Sequence, residues 1–209
     1  MSVLNRLASS LGRRDEVPNQ ELAHDLASNK DKTGIREIAE NLWNKDKNIQ
    51  ADCIKVLYEI GQLDPEQIAD YTEDFAKCLK SKNNRLVWGG MTALVEVAKV
   101  LPAAVFKYVE LIKKAKETGS VITVDNAISA LAYTAAAKDI YNKDIFPYLL
   151  KHLAGCRPKE VPQHSEKTLP AVNAGNKVEF INVLEKRMED LSGSGLSRVK
   201  KVIKQANKM

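Results

Sequence analysis

Residues 83–90, NNRLVWGG, set the largest side chain, Trp88, directly before two of the smallest, Gly89 and Gly90. The flanking residues read as helix, where each glycine costs up to about 1 kcal/mol against alanine. The reason for accepting two of them lies in what repeats around them. The segments IKVLYEI (54–60), MTALVEV (91–97) and ISALAYT (128–134) superpose at a spacing of 37 residues. Their columns are Ile54/Met91/Ile128, Leu57/Leu94/Leu131 and Ile60/Val97/Thr134. Apolar positions at i, i+3 and i+6 make one face of a helix. Gly90 falls in the uniformly small column of Cys53 and Ala127, which predicts close approach by a neighbouring helix. Gly89 shares its column with Asp52 and Asn126 and is expected to face outward, without a packing role.

A second set of columns lies upstream at the same spacing: Ile38/Phe75/Ile112/Leu149, Ile35/Thr72/Val109/Phe146, and Leu42/Leu79/Lys116/Leu153 with Lys116 the misfit. Each unit therefore pairs a first helix with a second, and four units fit between about residues 31 and 172. Pro65 and Pro102, also 37 apart, fall at the first turn of the next helix, where proline is tolerated. SKNN (81–84) and TGS (118–120) divide the helices within units. The fourth unit is less regular. Val161 continues the column of Val87 and Val124, but Ser165 and Thr168 stand where Ile and Leu belong. Helices are also expected at 3–12, 19–28, 176–191 and 196–207, with SGSG as a linker before the last. The predicted organisation is N-terminal capping helices over 1–30, four repeats over 31–172, and C-terminal capping helices with a basic tail over 173–209. No strand survives this reading, and the class is all α.

The 209 residues suffice to bury a core unaided. The net charge of +5 has a location: Arg198, Lys200, Lys201, Lys204 and Lys208 in the acid-free stretch 195–209 account for the whole excess. Three widely spaced cysteines, Cys53, Cys78 and Cys156, fit a reduced, cytoplasmic setting. MSVLNRLASSLGRR lacks the layout of a secretory signal, and no apolar run approaches the roughly 20 residues that span a bilayer.

The second-helix signatures NIQADCIKVLYEIG, NRLVWGGMTALVEVA and VITVDNAISALAYTA resemble the HEAT/armadillo-like repeat superfamily. CRPKEVPQHSEKTL (156–169) is similar to a family of uncharacterised prokaryotic HEAT-like proteins. The resemblance covers roughly 31–191. It implies a right-handed superhelix of antiparallel helix pairs whose second helices line a concave binding surface, and it implies no single activity. One branch, the alkylpurine DNA glycosylases, binds DNA in a basic concave groove.

Removing the core columns leaves a second-helix face with five acids, Asp52, Glu59, Glu96, Asp125 and Glu166, against Lys55 and Lys167. A groove of that sign repels phosphates and suits a basic protein or peptide better. The expected binding residues are Arg85, Trp88, Thr92, Glu96, Asp125, Asn126, Ser129 and Tyr133, with Trp88 and Arg85 as anchors. The bland reading of Trp88 is an indole folded over the glycine pair. His152, Cys156 and His164 cluster in sequence, but no fourth ligand is apparent and a proline-rich loop separates His164; no metal and no cofactor are expected. No nucleophile, base and orienting group recur at a recognised spacing, so the expectation is a non-enzymatic scaffold. The less favoured alternative is a nucleic-acid binder using the basic tail helix, with Arg198, Lys200, Lys201 and Lys204 on its polar face. A base-excising enzyme would have only Asp52 or Asp125 as its catalytic carboxylate. Capping the array is the other role of that tail.

Overall fold

The computed structural model describes residues 2–209, and every regular element among them is helical. α1 (Val17–Asn29) precedes α2 (Lys32–Glu40) and α3 (Lys47–Leu63), the first repeat. The second comprises a 3₁₀ segment (Pro65–Tyr71), α4 (Thr72–Cys78) and α5 (Asn84–Val100). The third has α6 (Pro102–Phe106), α7 (Val109–Thr118) and α8 (Val121–Ala136), and the fourth α9 (Asp139–Gly155) and α10 (Val161–Thr168). α11 (Lys177–Arg187) and α12 (Gly193–Ala206) follow.

Helix boundaries follow local chemistry that itself repeats. The Asp46 carboxylate accepts from Asn48 N at 2.8 Å, the Asn83 side-chain oxygen from Arg85 N at 3.1 Å, and the Ser120 hydroxyl from Thr123 N at 3.4 Å. These caps are spaced 37 apart, like the core columns, and each satisfies an N–H that would otherwise lack a partner at a helix start. Pro65 and Pro102 open the short leading segments of the second and third repeats. Those repeats therefore hold three helical pieces rather than the predicted two.

Two compact units divide the chain, one up to Ala127 and one from Ile128. In the first, Ile54, Leu57, Ile60, Met91, Leu94, Val97, Ile38, Phe75 and Ile112 are all buried, as their columns predict. In the second, Ile128, Leu131, Leu149, Leu153, Phe180 and Leu184 are buried. Ser165 and Thr168 are buried too, in place of the expected Ile and Leu. Their hydroxyls donate to Pro162 O and His164 O, both at 2.8 Å, so neither is left unsatisfied. Asn176 donates to Asn142 Oδ1 at 2.9 Å, and Asn142 donates to Ala171 O at 2.7 Å. This buried node ties α9 to the chain entering α11.

Three expectations are corrected. The helix predicted over 3–12 is a single turn, Val3–Arg6, followed by turns, because Gly12 at φ +67° and the bond from Arg13 N to Ala8 O reverse the chain. SGSG is not a linker: Gly193, at φ +55°, is the first residue of α12. Gly89 is buried, not outward.

Candidate functional site

The glycine pair lets α5 approach two neighbours at once. A Cβ on Gly90 would lie 2.8 Å from Cys78 Cβ and 2.9 Å from Phe75 O, so α5 rests on the backbone of α4. A Cβ on Gly89 would lie 2.6 Å from Ile54 Cγ1, so α5 rests equally closely on α3. Trp88, one residue earlier, is thereby brought against α3, its ring centroid 5.7 Å from that of Tyr58 at a tilt of 52°. Tyr58 in turn carries Lys55 Nζ 4.9 Å from its ring centre.

The other wall is the N-terminal segment, which no repeat argument placed here. Asp52 accepts from Ser9 N at 2.7 Å and from Asn19 Nδ2 at 2.8 Å, and Glu16 meets Lys55 Nζ at 2.9 Å. Lys55 is buried and also holds Glu59 at 2.5 Å. Burial pulls against its charge, but the bonds to Glu59, Glu16 and Tyr58 outweigh it and hold the ammonium above the usual lysine range. Between these walls lies a cleft of about 480 Å³ lined by Trp88, Arg85, Lys55, Asp52, Arg13 and Arg14, among others. The Ser9 hydroxyl, also at this cleft, is buried and has no hydrogen-bond partner among the described residues.

The charge balance differs from the predicted acidic face. Asp52 is held by Ser9 and Asn19, Glu59 by Lys55, Glu96 by Lys99 at 2.5 Å, and Glu166 by Arg198 at 2.6 Å. Arg13 pairs with Asp15 at 2.8 Å. Among the described residues, no acid pairs with Arg14 or Arg85. Over the residues that line the cleft, Arg13, Arg14, Lys55 and Arg85 stand against Asp15, Glu16 and Asp52, an excess of one positive charge.

Of the predicted binding residues, Arg85 is exposed and Trp88 half-buried, and both face the cleft. Thr92 donates to Trp88 O at 2.8 Å and accepts from Asn126 Nδ2 at 2.7 Å, so the two tie α5 to α8. Glu96 and Ser129 are buried, and Ser129 accepts from Lys167 at 3.2 Å. Asp125 and Tyr133 are half-buried. The continuous eight-residue strip is thus not an open surface. Asp52, one of the two candidate carboxylates of the base-excising reading beside Asp125, is already engaged by two donors.

In the second unit, Val199, Val202 and Ala206 of α12 are buried, and Arg198 reaches Glu166 with two nitrogens at 2.9 and 2.6 Å. Lys200, Lys201 and Lys204 stay exposed. No helix among the described residues is long and apolar enough to cross a membrane.

No protein-family model matches the chain, and no curated protein matches it. Solved structures do. A designed armadillo repeat protein in complex with peptide (KR)4 is similar with a TM-score of 0.69 at 14% identity, covering 99% of each chain. The fold is armadillo-like. An engineered protein from the Northeast Structural Genomics Consortium aligns with a TM-score of 0.68 at 18% identity, over 100% of this chain and 98% of that one. A second designed armadillo repeat protein gives 0.64 at 12% identity, over 98% and 100%.

Proposed function

We propose that this protein is a non-enzymatic interaction scaffold that binds a protein or peptide segment in the cleft between α3, α5 and the N-terminal segment. The observation that carries the reading is Trp88: a half-buried indole opening into a cleft beside Arg14 and Arg85, which no acid engages among the described residues. Trp and Arg are the residue types most often dominant at interfaces, where a fixed aromatic ring supplies area at little entropic cost. The likeness to an armadillo repeat protein bound to a peptide supports peptide binding as a use of the fold. That neighbour's peptide is basic; the charges here favour the opposite. The segment we infer carries an acidic side chain or terminal carboxylate for Arg85 and Arg14, next to an apolar group for Trp88.

A peptide array spanning acidic, neutral and basic sequences tests this, probed with wild type, Trp88→Ala and Arg85→Glu. Acidic-apolar peptides should bind wild type and lose roughly tenfold or more in either variant, the expected effect of removing one anchor. Binding of basic peptides only, or unchanged binding in both variants, overturns the reading. A second reading, nucleic-acid contact, rests on exposed Lys200, Lys201 and Lys204 of α12. It predicts steeply salt-dependent binding that is lost when those lysines are replaced and unaffected by Trp88→Ala.

A further inference from the structure

The proline-rich loop does not separate His164 from His152 and Cys156; it delivers it to them. Cys156 ends α9 with its N–H donating to His152 O at 2.8 Å, so the two side chains sit one turn apart on the same helix face. The turn Pro158–Glu160 then reverses the chain, and α10 carries His164 back alongside. His152 Nε2 and His164 Nδ1 come to 2.9 Å, and these atoms and Cys156 Sγ all lie within 4.8 Å of one another. The backbone beneath is fixed. Arg187 of α11 donates to Leu153 O at 2.7 Å and to Cys156 O at 2.8 Å, and its Nε bonds Asp190 at 2.7 Å.

We propose that His152, Cys156 and His164 bind one transition-metal ion of the zinc class, through His152 Nε2, His164 Nδ1 and Cys156 Sγ. Two imidazoles and a thiolate are the donor types such an ion prefers. With Zn–N near 2.0–2.1 Å and Zn–S near 2.3 Å, tetrahedral ligand atoms stand about 3.3–3.6 Å apart. The imidazoles need to separate by only a few tenths of an ångström, and a swing of the Cys156 side chain by about 1 Å closes the third side. Cys156 Sγ makes a long, weak contact to Leu153 O at 3.7 Å and lies beside the Arg187 guanidinium, which favours its thiolate form.

The proton balance is simple. In the metal-free pair, one ring N–H lies between Nε2 and Nδ1. The ion takes a lone pair from each, so the ring protons reside on His152 Nδ1 and His164 Nε2, and the Cys156 thiol releases one proton to solvent. The three ligands leave a fourth tetrahedral position for water or for a donor from a partner. Of the charged groups alongside, Glu160 is bound by Arg157 at 2.9 Å, and Arg187 donates to Cys156 O at 2.8 Å.

The test uses the full chain, freed of any purification tag and stripped with chelator, titrated with Co²⁺ and then Zn²⁺. One equivalent of Co²⁺ should give thiolate-to-metal charge-transfer absorption that Zn²⁺ abolishes, and Zn²⁺ should protect Cys156 from a thiol reagent. Cys156→Ser should lose the charge-transfer band, and His152→Gln should weaken binding by about tenfold or more. Both positions are only partly buried, so circular dichroism should show both variants folded; His164 is fully buried and unsuitable for this test. Absence of the band at saturating Co²⁺ in folded wild type, or equal affinity in both variants, overturns the proposal and leaves the histidines as a hydrogen-bonded pair joining α9 to α10.

Discussion

Gly89 and Gly90 lack a Cβ for different neighbours, and the difference predicts different costs. Gly90 faces a backbone carbonyl, Phe75 O, that cannot turn aside; Gly89 faces the Ile54 side chain, which can adjust. Gly90→Ala is expected to destabilise by about 1–2 kcal/mol, overpacking outweighing the roughly 1 kcal/mol gained in helix propensity. Gly89→Ala should cost less, as read by urea denaturation of both variants. A Gly90→Ala protein as stable as wild type would remove the close-approach account. Burial pushes the Cys53 and Cys78 thiols up to about 12, so both remain neutral at pH 8. A thiol reagent should therefore leave both unmodified in the native chain and label both once urea unfolds it. The repeat column reveals Gly90 because its neighbours there, Cys53 and Ala127, are equally small. It misplaced Gly89 because a column records what occupies a slot, whereas burial here depends on Ile54 of the adjacent helix.

Elements were legible where their own periodicity formed them and illegible where something distant did. The buried columns of α3, α5 and α8 follow from spacing alone. α10 did not, because Ser165 and Thr168 satisfy their hydroxyls on their own helix and so occupy core positions that a hydropathy pattern assigns to Ile and Leu. The apolar face of α12 was readable, but its anchor was not: Arg198 meets Glu166 from 32 positions away. That pair holds the Glu166 carboxyl below the usual glutamate range, chiefly through the hydrogen bond from Arg198. A depressed carboxylate stabilises above its unfolded pKa and ceases to as pH falls through the folded value. The pair is about half exposed, so its worth is modest, about 0.5 kcal/mol. Protection of α12 amides from hydrogen exchange should therefore weaken as pH falls below about 4. Arg198→Ala should reproduce that loss at pH 7; identical exchange in the variant would show that the apolar face alone holds the helix.

Across the whole molecule, the fold was legible because a 37-residue period, its proline starts and its capping residues all agree. The charge of the cleft was not. It depends on which acids are already bound, and the Ser9 N–H that engages Asp52 comes from 43 positions upstream, outside the repeat. The second helices alone present an acidic face; the N-terminal segment adds Arg13 and Arg14, and the cleft lining then carries four cations against Asp15, Glu16 and Asp52. The central claim is that a peptide seats itself on Trp88 in that cleft. Trp88 is one of two tryptophans, so Trp43→Phe leaves it as the sole indole reporter. The measurement is Trp88 emission during titration with an acidic peptide bearing one apolar side chain, against a basic peptide of equal length. We expect a saturable spectral shift with the acidic peptide only, weakened about tenfold by Arg85→Ala. A shift with the basic peptide alone, or none with either, would contradict the account.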